Sequence, residues 1–328
     1  MDAAKLPRWR GFNLVEKCND KRNEPYREEH FLWMRQWGFD FVRLPLSYKC
    51  WTQADDWLAA REPVLAEVDQ AVEFGRQYRI HVNINFHRAP GYCVNAPAEP
   101  LDLWTDRPAL EACRRHWSLF ARRYKGVPNE RLSFNLLNEP VAEVSEESYA
   151  RVVRELVAAI RREDPGRLII ADGLCWGKVP AFSLKDLGIA QSTRGYAPKQ
   201  LTHYKASWMA ESQPWALPTW PLDLGQQGGL WDRGRLDREC IAPWVQLESQ
   251  GVGVHVGEFG SLNQTPHAAV LAWMGDLMGL WKRAGWGWTL WNLIGSFGIM
   301  DSRRADVAYE DFHGHKLDRR MLELLLAH

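Results

Sequence analysis

The sequence predicts a single eight-stranded parallel barrel of the (β/α)8 class. Three observations carry this reading: short apolar runs alternate with amphipathic stretches of helical period along the whole chain, eight strand-like runs can be counted, and polar side chains gather at their C-terminal ends. Strands buried on both faces read as nearly continuous apolar runs, and regular strand–helix alternation makes a parallel sheet. Such a barrel needs about 250 residues, more with insertions, so the 328 residues present hold one, read as a single catalytic barrel domain over 1–328. An open doubly wound sheet is the rival, but it carries a glycine-rich phosphate loop after its first strand, and Gly11-Phe12-Asn13-Leu14-Val15 is not one.

In chain order, Arg10–Leu14 is the first expected strand, followed by a helix over Tyr26–Trp37; Phe39–Leu46 precedes a helix over Pro63–Tyr78. In Ile80–His87, alternation sends His81, Asn83, Asn85 and His87 to one face and Val82, Ile84 and Phe86 to the other, as expected where a polar pore backs onto helices. A helix over Pro108–Tyr124 follows, then the strand Arg131–Glu139. The next helix, Glu146–Arg162, has Ser145 ahead of it as N-cap and Asp164-Pro165-Gly166 as its stop. Arg167–Leu174 is the fifth strand and Gln200–Tyr204 the sixth, with a helix over Leu236–Ser249. Gly253–Phe259, a helix over Pro266–Arg283, Gly287–Leu293 and a helix over Lys316–Ala327 complete the set. After the sixth strand lies a long tryptophan-rich insertion, Lys205 to Arg235, with Trp208, Trp215, Trp220 and Trp231; loops of this length are functional lids or binding loops.

Forty-one basic residues balance forty-one acidic ones. That argues against nucleic acid or an anionic membrane surface as partner, since either asks for a basic patch. No apolar run approaches the roughly 18 residues of a membrane span. The N-terminus lacks a charged-then-apolar leader, and the six cysteines form no C-x-x-C pair or cluster with histidine. Reduced thiols and a cytoplasmic protein are expected, or a secreted one if the chain has been trimmed. Neither metal nor organic cofactor is implied, and oligomeric state is not readable. Eighteen tryptophans exceed what a core ordinarily takes, and flat rings suit the stacking of sugar faces.

Barrel chemistry sits at the C-terminal strand ends. There stand Arg43, His87, Asn138-Glu139-Pro140, Asp172, His203-Tyr204, Glu258 and Trp291. Glu139 on the fourth strand and Glu258 on the seventh can face each other across the pore, with Gly257 and Gly260 giving a ligand room at the second. Two opposed carboxyls can cut a glycosidic bond: one protonates the leaving oxygen, the other stabilises or attacks the oxocarbenium-like centre. Arg43 would keep its neighbouring carboxylate ionised; His87, His203 and Asn138 are placed for sugar hydroxyls, and Trp291 for the floor of a subsite. Trp176 and Trp208 are the loop tryptophans expected to reach the cleft. Asp172 is read as a cap or supporting partner, and His81 and His116 as core histidines. Strict alternation forbids adjacent Asn138 and Glu139 from both facing the pore, so irregular backbone is expected there.

WRGFNL, FVRLPLSY, INFHRAPGY, LSFNLLNEP, THY, VGEFG and TLWN, in this order, resemble glycoside hydrolase family 5, the cellulase-like group. The resemblance runs from Arg10 to the last helix. It implies a retaining mechanism with Glu139 as acid/base and Glu258 as nucleophile, and carries over to Arg43, His87, Asn138, His203 and Trp291. The family commonly shows His-x-Tyr at the sixth strand, whereas Tyr204 directly follows His203 and Lys205 takes the tyrosine's place. Either a bulge brings Tyr204 to the nucleophile or another group does that work. The substrate expected is an oligosaccharide or polysaccharide, above all a β-linked glucoside or gluco-oligosaccharide. A β-mannan, β-1,3-glucan or β-galactoside hydrolase, a transglycosylase, and a non-catalytic carbohydrate-binding protein are the alternatives.

Overall fold

The computed structural model describes residues 2–53 and 56–328. Its central strands are β1 (Arg10–Asn13), β2 (Phe41–Ser47), β3 (His81–Arg88), β4 (Leu132–Asn135), β5 (Ile169–Asp172), β6 (Ala190–Gly195), β7 (Val254–Phe259) and β8 (Gly287–Leu290). Each pairs in parallel with its neighbours in sequence, and β8 pairs with β1, which closes the barrel. The main helices are α1 (Glu28–Trp37), α2 (Glu62–Tyr78), α3 (Arg107–Arg123), α4 (Glu146–Glu163), α5 (Ala242–Glu248), α6 (His267–Ala284) and α7 (Arg319–Ala327).

Local chemistry sets the limits of α4 within one residue of where the sequence placed them, whereas the last helix begins at Arg319, after a short strand His315–Leu317, rather than at Lys316. Ser145 Oγ accepts a hydrogen bond from Ser148 N at 3.2 Å, capping α4. The buried face of α4 is Tyr149, Val152, Val153, Leu156, Val157 and Ile160, an i, i+3/i+4 stripe, and Asp164 closes it through Ile160 O. In β3 the outward Phe86 stacks on Trp117 of α3 at 3.9 Å, while inward Asn83 and Asn85 bond to Ser133 Oγ and Asn135 O of β4.

The sixth strand is a correction. Lys199–Thr202 forms one helical turn and His203–Tyr204 continue in a turn, so Gln200–Tyr204 is not a strand. The real β6 has no apolar run because its sides are spent otherwise. Inward, the small Ala190 and Ser192 leave volume for Arg194; outward, Gln191 bonds to both backbone groups of Ala181, and Thr193 to Gly177 O. The segment from Lys205 to Arg235 is also more ordered than expected. It includes an antiparallel ribbon of Leu222–Asp223 with Leu230–Trp231, and Trp220 Nε1 donates to Asp276 of α6 at 2.9 Å.

Half of the tryptophans are core: Trp9, Trp33, Trp51, Trp117, Trp244, Trp273, Trp281, Trp286 and Trp288 are buried. The large total therefore reports packing between barrel and helices more than sugar stacking. All six cysteines carry free thiols.

The N-terminal end of the barrel is plugged by rings. Trp9 stacks on His81 at 3.8 Å, Phe41 lies parallel to His81 at 5.3 Å, and His255 packs on Phe41 at 4.6 Å. His81 bonds to Ser133 Oγ and His255 to Thr289 Oγ1. Burial holds both imidazoles at pKa about 3, far below the roughly 6.5 of an unfolded chain. Above that value both states are neutral and folding is indifferent to pH. Below it the unfolded chain takes protons the fold refuses, so stability is lost as pH falls from about 6.5 towards 3. The pair contributes a slope of about 2.7 kcal/mol per pH unit. Denaturant titrations at pH 7 and pH 5 are expected to show this fall, and His255→Gln should reduce the slope by about 1.4 kcal/mol per pH unit; an unchanged slope in that variant contradicts the assignment.

Candidate active site

The inward side chains grow more polar towards the C-terminal rim, and Arg43 of β2 organises the first ring. It is fully buried, and its Nη1 donates to Glu258 Oε1 at 2.6 Å and to Asn13 Oδ1 at 3.0 Å. Its Nε reaches Asn135 Oδ1 at 3.0 Å and Nη2 reaches Asn138 Oδ1 at 2.8 Å. A planar fork of fixed donors suits this convergence of four strands in a way an ammonium cannot.

Glu258, near the end of β7, receives a second donor on its other oxygen: Tyr196 O–H to Oε2 at 3.1 Å. Arg194 Nη2 stands 3.5 Å from Oε1. Burial pushes this carboxyl up, but the Arg194 and Arg43 charges, His87 and the Tyr196 hydrogen bond outweigh it, and its pKa lies below the usual range. It is an ionised carboxylate in the neutral range.

Glu139 arrives by broken backbone. β4 ends at Asn135; Leu136 N and Asn138 N still bond to Ile170 O and Phe86 O, and then Glu139 adopts φ +48° ahead of Pro140. This left-handed geometry is unfavourable for a residue with a Cβ. Glu139 N donates to Asp172 Oδ2 at 2.9 Å, and its carbonyl accepts from Tyr92 O–H at 2.7 Å, which holds it there. The irregularity lets both Asn138 and Glu139 face the interior. Glu139 Oε1 accepts from Arg194 Nε at 2.8 Å. Burial and the charge of Glu258 raise its pKa to about 7, with Arg194 pulling the other way. Two carboxyls in one site thus have opposite protonation tendencies.

Above this network a cleft of about 850 Å³ is lined by His87, Glu139, Trp176, Tyr196, His203, Trp208, Trp231, Glu258 and Trp291, among others. His87 stacks on Trp291 at 5.4 Å, and burial lowers its pKa to about 4. His203 lies edge-on to Tyr196 at 5.3 Å, Trp208 borders it at 6.2 Å, and burial holds it too at about 4. Trp176 and Trp208 are 37% and 61% exposed, so both keep a face for a ligand.

A likeness to known proteins decides the family. Residues 2–296 match the model of Cellulase (glycosyl hydrolase family 5). The chain belongs to glycosyl hydrolase family 5. It is 25% identical over 302 residues to Endoglucanase C of Acetivibrio thermocellus, covering 83% of this chain and 85% of that one. Cellodextrinase A of Ruminococcus flavefaciens is 24% identical over 62% of this chain and 63% of its own. Among solved structures, one titled as a glycoside hydrolase superposes with TM-score 0.92 at 38% identity, covering 98% and 99% of the two chains. Endoglucanase Cel5A of Thermotoga maritima shares the fold at TM-score 0.77 and 22% identity, over 97% and 96%.

Within this family-5 chain the structure unites most of the predicted residues. Glu139, Glu258, Arg43 and Asn138 form one bonded network with Asp172; His87, His203, Trp176, Trp208 and Trp291 line the cleft. Tyr204 does not belong: it is buried outside the cleft lining, with Lys205 Nζ 5.4 Å over its ring. The group on Glu258 is Tyr196, just past β6 and two residues after Arg194. A basic residue two before a tyrosine, ahead of Pro198, was the available signal; the THY triplet nearby imitated it. Gly257 is corrected too: a Cβ there would meet Ser192 Oγ at 2.4 Å and Arg194 Nη1 at 2.8 Å, so the glycine makes room for Arg194 rather than for a ligand. Asn13, Arg194 and Tyr196 were missed.

The correction is testable. Tyr196→Phe is expected to lower kcat/KM on a β-glycoside roughly tenfold, as for one hydrogen bond to a charged group. Tyr204→Phe should stay within about twofold of wild type, since Tyr204 lies outside the cleft lining and its hydroxyl bonds to neither glutamate among the described residues. The reverse ranking would return the role of supporting Glu258 to Tyr204.

Proposed function

We propose that this chain is a retaining β-glycoside hydrolase acting on β-linked glucosides or gluco-oligosaccharides, with Glu258 as nucleophile and Glu139 as acid/base. The observation that carries the proposal is a pair of carboxyls on β7 and just beyond β4, one held ionised and the other poised to keep its proton near pH 7, both reached by one guanidinium. One guanidinium contacts both carboxyls, which places them in one site, and direct attack by Glu258 requires such proximity. In the first half-reaction Glu258 attacks the anomeric carbon while the Glu139 proton moves to the departing oxygen. In the second, Glu139 takes a proton from water, which displaces Glu258 from the glycosyl-enzyme.

Binding is supplied by groups with spare capacity. Asn138 Nδ2 and His87 Nδ1 are buried without a hydrogen-bond partner among the described residues, and sugar hydroxyls would satisfy them. Trp291, Trp176, Trp208 and Trp231 offer ring faces along the cleft. A relative named as a cellodextrinase and others named as endoglucanases support the gluco-configuration.

The test is a panel of β-glucosides, cello-oligosaccharides, β-mannan, β-1,3-glucan and β-galactosides, with product sizing and NMR of the first-formed anomer. Release of the β-anomer from a β-glucoside is expected. Absence of hydrolysis of every β-glucoside sinks the substrate assignment, and an α-anomer formed first sinks retention. Products extended on an added sugar acceptor would mark a transglycosylase, and carbohydrate binding without any turnover a non-catalytic protein.

A further inference from the structure

We infer that Arg194, with Asp172 as its counter-ion, is the positioning residue that aims the proton of Glu139 at the leaving oxygen and couples the acid to the nucleophile. This deepens the hydrolase reading and rests on it.

The fold is built to admit this one side chain. Arg194 projects from β6 into the barrel and is 5% exposed as a residue. Two glycines bracket it: a Cβ on Gly257 would sit 2.8 Å from its Nη1, and one on Gly177, which has φ +72°, would sit 2.7 Å from its Cγ. Ser192 below it contributes only a hydroxyl, which accepts from Nη1 at 3.0 Å, and Thr193 O accepts from the same nitrogen at 3.2 Å. Any larger residue at 177 or 257 would displace the guanidinium.

Its donors are divided among partners with different tasks. Nη2 pairs with Asp172 Oδ2 and also donates to Asn138 Oδ1 at 3.1 Å; Nε donates to Glu139 Oε1 at 2.8 Å. Asp172 in turn accepts from Asn135 Nδ2 at 2.9 Å and from Glu139 N at 2.9 Å. The acid is therefore held from both ends, its backbone by Asp172 and its carboxyl by the residue that Asp172 balances. Because Oε1 is occupied by an N–H donor, the proton of neutral Glu139 resides on Oε2. As a Glu258 oxygen bonds to the anomeric carbon, the C–O bond to the aglycone breaks, its electron pair stays on that oxygen, and the Oε2 proton joins it.

Balance of charge is the second half of the device. Glu139 is faced by Arg194 and Tyr196 from β6 and its end, Asp172 from β5, Glu258 from β7, Arg43 from β2 and Tyr92 from the loop after β3. An unpaired Arg194 would strip the proton from Glu139 at neutral pH; Asp172 offsets it, and Glu139 stays near 7. A histidine here would carry neither the fork nor the permanent charge.

The experiment compares two β-glucosides of opposite leaving-group ability, cellobiose and 2,4-dinitrophenyl β-glucoside. Lysine keeps the charge of Arg194 but has one nitrogen on a flexible stem in place of the separated Nε and Nη2 that reach Glu139 and the Asp172–Asn138 pair. In Arg194→Lys, kcat/KM for cellobiose is expected to fall about 100-fold and for the dinitrophenyl glucoside less than about fivefold. Equal losses on both substrates would mean a merely structural role and overturn the inference. Asp172→Asn keeps the acceptor for Glu139 N and removes the charge, so the alkaline limb of the kcat/KM profile should move down by about one pH unit; a limb that stays in place also overturns it, and decides the matter if the lysine variant does not fold. A wild-type protein that cleaves neither glucoside counts against the β-glucoside assignment on which the comparison rests, a distinct result.

Discussion

Glu258→Gln is expected to lower kcat by about 10⁵-fold, roughly 7 kcal/mol of transition-state stabilisation. The amide cannot attack the anomeric carbon or balance the developing positive charge, so both contributions of the residue vanish together. The barrel should survive the change. The substituted amide would keep an oxygen for Arg43 Nη1, and its NH₂ would face Tyr196, whose hydroxyl can turn to accept. Some stability is lost, because Arg43 and Arg194 remain buried with one negative charge fewer between them. Circular dichroism and a thermal melt establish folding; steady-state assays establish the loss. Turnover within tenfold of wild type in a folded variant removes Glu258 from its role.

Glu139→Ala is expected to separate substrates by their leaving group. For unactivated glucosides kcat/KM should fall about 10²–10⁴-fold, the range of general acid catalysis, while dinitrophenyl glucosides, which need no proton, lose little in the first step. Their glycosyl-enzyme then accumulates, because Glu139 no longer activates water. Azide should restore turnover and yield a β-glycosyl azide. The truncated side chain leaves space beside the Arg194 Nε–H that bonded Glu139, a ready donor for a small anion. An α-azide, or a loss independent of the leaving group, defeats the acid/base assignment. Wild-type activity should fade as pH rises through about 7, where Glu139 surrenders its proton.

These results would rest on residues that differ in how visible they are in the chain. β3 is legible because its two faces are chemically distinct, and the buried stripe and Ser145 cap make α4 equally plain. The strand-end order also placed Arg43, Glu139 and Glu258 in one site, since a parallel barrel brings all its C-terminal ends to one rim. β6 was not legible. Its inward residues are small, its outward polar groups are consumed by the turn at Ala181 and by Gly177, and hydrophobic period cannot register either arrangement. Losing that strand displaced the tyrosine from Tyr196 to Tyr204 and hid Arg194.

The two glutamates, their parent elements and the closed barrel follow from local pattern: burial period, caps and strand ends act over a few residues, and they can be read along the chain. What required the folded protein is everything that depends on distance between strands. Arg194 matters because Gly177 and Gly257, far apart in sequence, leave it room, and because Asp172 balances its charge. The opposite protonation of Glu139 and Glu258 likewise arises from burial and from which guanidinium each one touches. Electrostatic energy falls with separation in space, and separation along the chain does not encode it.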